Sequence, residues 1–276
     1  MITGASRGLG AALAQTYAKQ LQGNVTLSLL ARSRQNLADC QQRCEHFGAR
    51  VHSYACDIAD TDAVLKLLSD ISGTPVDIAF INAGTTGNSV NRHEPWQQQE
   101  SIVLTNLLGA MASCEALLPA MRAQRRGAIV FISSISAYRG LGLTPSYCAS
   151  KAGIKIYAES IRGDLAHEGI DISTVLPGFI QTDMSNQFQG ARPFMITAEQ
   201  AANIIIRGVS KQRSIISFPR VLSYSQRLLH CLPARWADRL LISLGYGSIV
   251  NNEAWLKNIS VIKNNHAVEQ SDEPKS

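Results

Sequence analysis

The sequence predicts an α/β protein: one domain in which a doubly wound parallel sheet carries helices on both faces, with its first strand nearly absent. Three observations lead there. From Asn24 onward, short β-branched or leucine-rich runs alternate with longer helical patterns, the mark of repeated strand–helix units. A glycine-rich turn, Thr3-Gly4-Ala5-Ser6-Arg7-Gly8-Leu9-Gly10, stands where a strand should pass into the first helix, yet only Met1 and Ile2 precede it. The chain has 276 residues, 45% of them hydrophobic, which is enough for one sizeable core.

Strands are expected at Asn24 to Ala31, Arg50 to Cys56, Val76 to Ile81, Ala128 to Ser133, Ile170 to Leu176 and Ser214 to Phe218. Each is short and apolar, as befits a strand covered on both faces. Helices are expected at Leu9 to Gln20, Gln35 to His46, Thr61 to Ser72, Trp96 to Ala123, Tyr147 to His167 and Ala198 to Ser210. The main domain then covers residues 1–220. An amphipathic extension follows over 221–263, and a polar tail over 264–276 is expected to be disordered because it has too little apolar surface to bury. The missing first strand should pair with the second and fourth strands and carry the glycine turn. Met1 is therefore expected not to be the natural start, or else to leave an impaired product.

A net charge of +5 and a charged fraction of 17% imply no nucleic-acid partner. The basic excess is local: Arg207, Lys211, Arg213, Arg220, Arg227, Arg235 and Arg239 share their stretch with one acid, Asp238. The six cysteines form no CxxC pair and have no histidine at metal-ligand spacing, so they read as reduced thiols and no metal site is expected. The apolar segments are much shorter than the ~20 residues of a membrane span, which favours a cytoplasmic protein.

The chemistry begins at the glycine turn. Gly4, Gly8 and Gly10 would let the backbone approach a pyrophosphate, whose charge the following helix N-terminus favours. Surface turns also collect glycine, and only the position ahead of a strand–helix series raises this motif above that reading. At the end of the second strand, Leu29-Leu30-Ala31-Arg32-Ser33 lacks the acid that would hold ribose hydroxyls. Arg32 and Arg7 can instead pair with a 2′-phosphate, or simply be solvated. Tyr147 and Lys151 lie four apart at a helix start, so they share a face, and an ammonium beside a phenol would lower its pKa from the usual ~10. Such a pair can pass a proton to or from an alcohol or carbonyl oxygen. Ser133 and Ser134 end a strand at the sheet edge where ligands bind, Asn82-Ala83-Gly84 ends another, and Asn106 lies within a long helix where its amide has no packing reason to be.

Over nearly all of Thr3 to Phe218 the sequence resembles the short-chain dehydrogenase/reductase family. The matching positions are Thr3-Gly-x-x-x-Gly-x-Gly10, Asp57, Asn82-Ala-Gly84, Asn106 with Gly109, Ser134, Tyr147-Cys-Ala-Ser-Lys151, and Pro177-Gly178 with Thr182. The resemblance implies a Rossmann-type nucleotide-binding fold and hydride transfer between NADP(H) and a carbonyl or alcohol carbon. It makes Tyr147 the general acid/base, has Ser134 orient the substrate oxygen, has Lys151 tune Tyr147 and bind the nicotinamide ribose, and has Asn106 hold a water in a proton relay. Asp57 would contact adenine and Asn82 and Gly84 the ribose side, while Thr182 would bind the carboxamide. Ser6, Arg7, Leu9, Arg32, Ile58, Ala83, Pro177 and Gly178 complete the cofactor-binding set. Asp57 and Thr182 have ordinary helix-capping roles as alternatives.

The resemblance further implies that Phe179 to Met195 forms a lid. Its Phe179, Ile180, Met184, Phe188, Phe194 and Met195 fit an apolar substrate or ordinary packing equally well. It also implies a homodimer, or a tetramer of dimers, built on the helices from Trp96 and from Tyr147. Beyond Phe218, Leu228 to Ile242 is a basic amphipathic stretch broken at Pro233. It can cover a substrate entrance, pack on a second subunit or lie on an anionic membrane surface, with covering or packing the weightier readings. Two other functions compete with carbonyl reduction: a sugar-nucleotide epimerase or dehydratase, which would have a different glycine spacing and a longer chain, and a non-enzymatic nucleotide-binding regulator, which would not need the full Asn106, Ser134, Tyr147, Lys151 set.

Overall fold

A computed structural model of the protein describes residues 1–71, 75–89, 93–188, 190–244 and 246. Most of the extension beyond Leu244 and the whole tail expected at 264–276 lie outside the described residues. The elements follow the alternation expected: β1 Ile2–Thr3, α1 Gly8–Leu21, β2 Thr26–Ala31, α2 Arg34–His46, β3 Arg50–Ala55, α3 Thr61–Asp70 and β4 Ile78–Ile81. Then come α4 Trp96–Val103, a π-helical turn Leu104–Leu108, α5 Gly109–Gln124, β5 Gly127–Ile132, α6 Pro145–His167 and β6 Ile170–Pro177. Two short strands, β7 Ile180–Gln181 and β8 Ile196–Thr197, flank α7 Asp183–Asn186. The described chain ends with α8 Ala198–Val209, β9 Ile215–Phe218, α9 Arg220–Cys231 and α10 Ala234–Ser243.

The sheet has seven parallel strands in the order β3-β2-β1-β4-β5-β6-β9. The chain reverses its direction of travel across the sheet between β1 and β4, which opens a crevice at the strands' C-terminal ends. As expected, β1 is a stub of two residues, but it occupies its place. Ile2 pairs with Leu29 on one side and Phe80 on the other, and the Met1 amino group donates to the Ile78 carbonyl at 2.7 Å.

Alternation along the strands divides the core. Val130 and Val175 face a cluster with Leu13 and Ala14 of α1 and Ile205 of α8, while Ile129 and Phe131 face Leu68 of α3, Leu117 of α5 and Ile154 of α6. Every one of these residues is buried, so both faces are covered, as the apolar strands required.

The long helix expected from Trp96 is one continuous rod interrupted by the π turn, and it corrects one expectation. Over Trp96–Gln124 it is long and apolar enough to cross a membrane by length and composition, although half of its most apolar window is buried inside the fold. The buried half packs against α3 and α6. The expected break at Pro233 separates α9 from α10.

Gly109 lets α5 pass close to the loop after β3: a Cβ there would fall on the Ile58 carbonyl oxygen, which is backbone and has little freedom to yield. Gly109→Ala should therefore cost about 1–3 kcal/mol by overpacking. Gly163, exposed on α6 with nothing near its Cβ position, serves as the control: Gly163→Ala should raise stability by roughly 0.5–1 kcal/mol through helix propensity. Urea unfolding of the two variants checks both signs.

Candidate active site

The glycine turn follows β1 directly. Gly4 has φ +66°, a left-handed conformation natural to glycine, and a Cβ there would sit 2.8 Å from the Ala83 Cα. A Cβ on Gly10 would collide with the Gly4 carbonyl oxygen. At the start of α1 the N-cap residue, Arg7, makes no side-chain cap, so the first-turn N–H groups of this helix are not capped from within. A cradle that Cβ atoms would fill, opening on an uncapped helix N-terminus, fits a pyrophosphate.

The turn is held by Thr3. Its hydroxyl accepts from the backbone N–H of Asn82 at 2.9 Å and of Ala83 at 3.0 Å, and the Asn82 amide donates to the Thr3 carbonyl at 3.0 Å. The loops after β1 and β4 are thereby locked side by side across the crevice.

A cavity of about 510 Å³ runs along the C-terminal ends of the strands. Gly4, Ser6, Arg7, Gly8, Leu9, Arg32, Asp57, Ile58, Asn82, Ala83, Gly84, Ser134, Tyr147, Lys151, Pro177, Gly178 and Thr182 all line it, so the structure brings together nearly every residue chosen from sequence. Gly10 and Asn106 are not on its wall. Gly10 packs behind the turn, and Asn106 lies behind Gly84, whose Cβ position is 3.2 Å from the Asn106 Oδ1 and 3.4 Å from the Lys151 Nζ.

Asn106 sits in the π turn, which explains an amide inside an apolar helix. Its Oδ1 accepts from the Thr85 N–H at 2.7 Å, and its Nδ2 donates to the Thr85 carbonyl at 2.9 Å and to the Ser150 hydroxyl at 3.1 Å. Both amide hydrogens are thus engaged in holding the loop after β4 against α6.

The turn of α6 that carries Tyr147 and Lys151 is tied to the end of β5. Lys151 Nζ donates to the Ile132 carbonyl at 2.9 Å, and the Ser133 hydroxyl donates to the Lys151 carbonyl at 2.7 Å. Burial pulls the Lys151 ammonium down to about 8, because the charged form is taken out of water. The Tyr147 phenol moves the other way, up to about 12: burial outweighs the opposing hydrogen bond from Ser134. This reverses the lowering expected from the lysine, whose Nζ lies 5.8 Å from the centre of the tyrosine ring.

Two capping alternatives separate. Asp57 does not cap α3, since Asp60 does so by accepting from the Ala63 N–H; Asp57 accepts from the Ala59 N–H within its own loop and lines the cavity. Thr182 does cap α7, accepting from the Ser185 N–H at 3.3 Å, and it lines the cavity as well. Arg7 is exposed and pairs with Asp183 at 3.6 Å, an ion pair worth about 0–1 kcal/mol in water.

Of the expected lid, Phe179, Ile180, Met184 and Phe188 line the cavity, whereas Phe194 and Met195 are exposed and do not. Sequence reasoning allowed the chain after Phe218 to cover the entrance without naming the residues that do so, Leu222 and Gln226 of α9 and Tyr246, and it missed Leu141 before α6. It also missed Ser33 and Asn36 beside Arg32, and Glu94, a buried carboxylate that accepts from the Ser146 N–H at 3.1 Å and so anchors the start of α6 one residue before Tyr147. Ser33 and Asn36 were legible as the start of α2, but the Glu94 contact spans 52 residues and left no local signal.

Comparison with known proteins agrees with this architecture. The family model for short chain dehydrogenase matches residues 1–192. A protein described as an uncharacterized oxidoreductase of Myxococcus xanthus is 30% identical over 235 residues, covering 84% of this chain and 92% of its own. The ketoacyl reductase HetN of Nostoc is 31% identical over 219 residues, covering 77% and 75%. Among solved structures, a short-chain dehydrogenase from Sphingobium yanoikuyae in complex with NADPH superposes with a TM-score of 0.72 at 19% identity, covering 100% of this chain and 96% of its own. The chain therefore belongs to the short-chain dehydrogenases, NAD(P)-dependent oxidoreductases acting on CH–OH and keto groups.

Proposed function

We propose that this enzyme reduces an uncharged, apolar ketone or aldehyde with NADPH, and that Tyr147 supplies the proton. The observation that carries the reading is the convergence of Ser134, Tyr147 and Lys151 at one end of a cavity whose other end is lined by Arg7 and Arg32. No acid stands at the end of β2, and a guanidinium matches the geometry of a 2′-phosphate. When bound, the reduced nicotinamide supplies hydride to the carbonyl carbon.

A phenol held near 12 is protonated at neutral pH, so Tyr147 starts as an acid and is set to donate its proton to the developing alkoxide. The Ser134 hydroxyl orients that oxygen. Lys151 places a positive charge beside the phenolate left behind, lowering the barrier where negative charge develops. Asn106 acts as a positioning residue by fixing the loop after β4. The substrate end is walled by Leu141, Phe179, Met184 and Phe188, with no lysine or arginine except Lys151 among the described residues, which suits an apolar carbonyl compound. The ketoacyl reductase among the relatives supports a carbonyl substrate. A second subunit would pack on Trp96, Leu108 and Ile156, large apolar residues exposed on the helices expected to form the dimer.

Tyr147→Phe should lower the rate of ketone reduction by roughly 10²–10⁴-fold while leaving NADPH affinity within a few-fold. A panel of ketones and aldehydes with each cofactor checks this, and activity that survives the substitution removes the proton-donor role. Arg32→Ala should weaken NADPH binding by roughly 10–100-fold, the scale of a hydrogen bond to a charged group, and leave NADH binding unchanged. Equal losses for both cofactors in fluorescence titration would show that Arg32 does not read the 2′-phosphate.

Lys151 yields a test through stability. Its folded pKa lies below the unfolded value of ~10.4, so the unfolded chain binds the extra proton and the group lowers stability at neutral pH; that cost fades as pH rises from about 8 toward the unfolded value. Lys151→Met should therefore abolish turnover yet raise the melting temperature by roughly 2–4 °C at pH 7. The gap should narrow by pH 10, and a gap that widens with pH would contradict the buried ammonium.

A further inference from the structure

We propose that the outer face of α9 and α10 docks this protein onto an anionic phospholipid surface. The inner face of α9 is accounted for: Leu222 and Gln226 enter the wall of the cavity, and Leu229 packs with Ala237 and Leu241 of α10. The outer face is not. Val221, Tyr224 and Leu228 follow one another at helical spacing and are 64%, 65% and 66% exposed; Trp236 and Ile242 of α10 are 70% and 65% exposed. Among the described residues, no comparable run of large apolar side chains stands in water, and patches of this kind mark association surfaces.

The charge of the face selects the occupant. Arg220, Arg235 and Arg239 are exposed, and no described carboxylate pairs with them. Asp238, the one acid nearby, is already held by Arg139, and Arg227 is spent on Tyr138, stacking 4.7 Å from its ring. Basic groups interleaved with Trp, Tyr and aliphatic side chains match the boundary between anionic headgroups and acyl chains. A second copy is a poorer fit. A two-fold contact through this face would set the same unpaired arginines against each other.

Docking here would also have a use, since α9 supplies both the lipid-facing surface and part of the wall at the substrate end of the cavity. An amphiphilic carbonyl compound held in the lipid would meet the cavity at that helix. The docking itself does not depend on the substrate, and its test needs neither substrate nor cofactor.

The full-length protein should be sedimented with vesicles of phosphatidylcholine alone and of phosphatidylcholine mixed with phosphatidylglycerol, at low and high salt. Binding to the mixed vesicles should exceed binding to the neutral ones by about tenfold at low salt and weaken as salt screens the arginines. Leu228→Glu/Trp236→Glu should lose binding to both vesicle types. Arg235→Gln/Arg239→Gln should lose the preference for phosphatidylglycerol, and both variants should keep the parent's melting temperature because the replaced side chains are exposed. The proposal fails if the full-length protein does not sediment with the mixed vesicles, or if the Leu228→Glu/Trp236→Glu protein binds them as well as the parent. It also fails if that variant merely converts an oligomer to a smaller species in sedimentation velocity with vesicle binding unaltered.

Discussion

One hydroxyl group joins the two halves of the sheet where the site must lie. Thr3 Oγ1 accepts from two consecutive backbone N–H groups, of Asn82 and Ala83, and the Asn82 side chain answers by donating to the Thr3 carbonyl. Thr3 is fully buried, so each of these polar groups would be left without water if the junction opened, at a cost of about 1–3 kcal/mol apiece. A first strand of only two residues can hold a cofactor cradle because this junction fixes the loops on either side of it. Gly4 approaches Ala83 too closely for any other residue, and Gly10 closes on Gly4 from behind.

The opposite wall is built by a comparable exchange between α6 and β5. Lys151 and Ser133 cross-link the helix to the strand end in both directions, Asn106 braces the loop after β4 against Ser150, and Glu94 holds the helix start. These bonds place Tyr147 and Lys151 in a setting where burial acts oppositely on the two groups, raising the phenol and depressing the ammonium. The site thus holds a neutral acid next to a cation that solvent would have stabilised better. Such a cost is tolerated where chemistry needs it and would be removed if stability alone mattered.

The helices after β9 divide their labour by face. The inner side of α9 helps complete the cavity with Leu222 and Gln226, joined by Tyr246 beyond α10, while the outer side leaves aromatic and aliphatic groups among arginines that no described carboxylate pairs with. The sequence alone allows this stretch to cover a substrate entrance, to pack on a second subunit or to lie on an anionic membrane surface. A helix has two faces, and the inner face of α9 takes the first of these roles.

Much of the architecture was legible because it rests on local pattern. The runs at Ala128 to Ser133 and Ile170 to Leu176 read as strands covered on both faces, Pro233 had to interrupt a helix, and Tyr147 and Lys151 had to share a helical face. By itself the sequence determined the α/β class, the cradle of glycines and the residue types that line the candidate site. Tertiary structure decided what depends on groups distant in the chain: that Asn106 stands in a π turn with both amide hydrogens engaged, that burial outweighs the Ser134 hydrogen bond at Tyr147, that Asp60 rather than Asp57 caps α3, and that Glu94 anchors α6. The physical reason is common to all four. Desolvation and hydrogen-bond partnership are set by what the fold packs around a group, and spacing along a chain records only which neighbours share its own element.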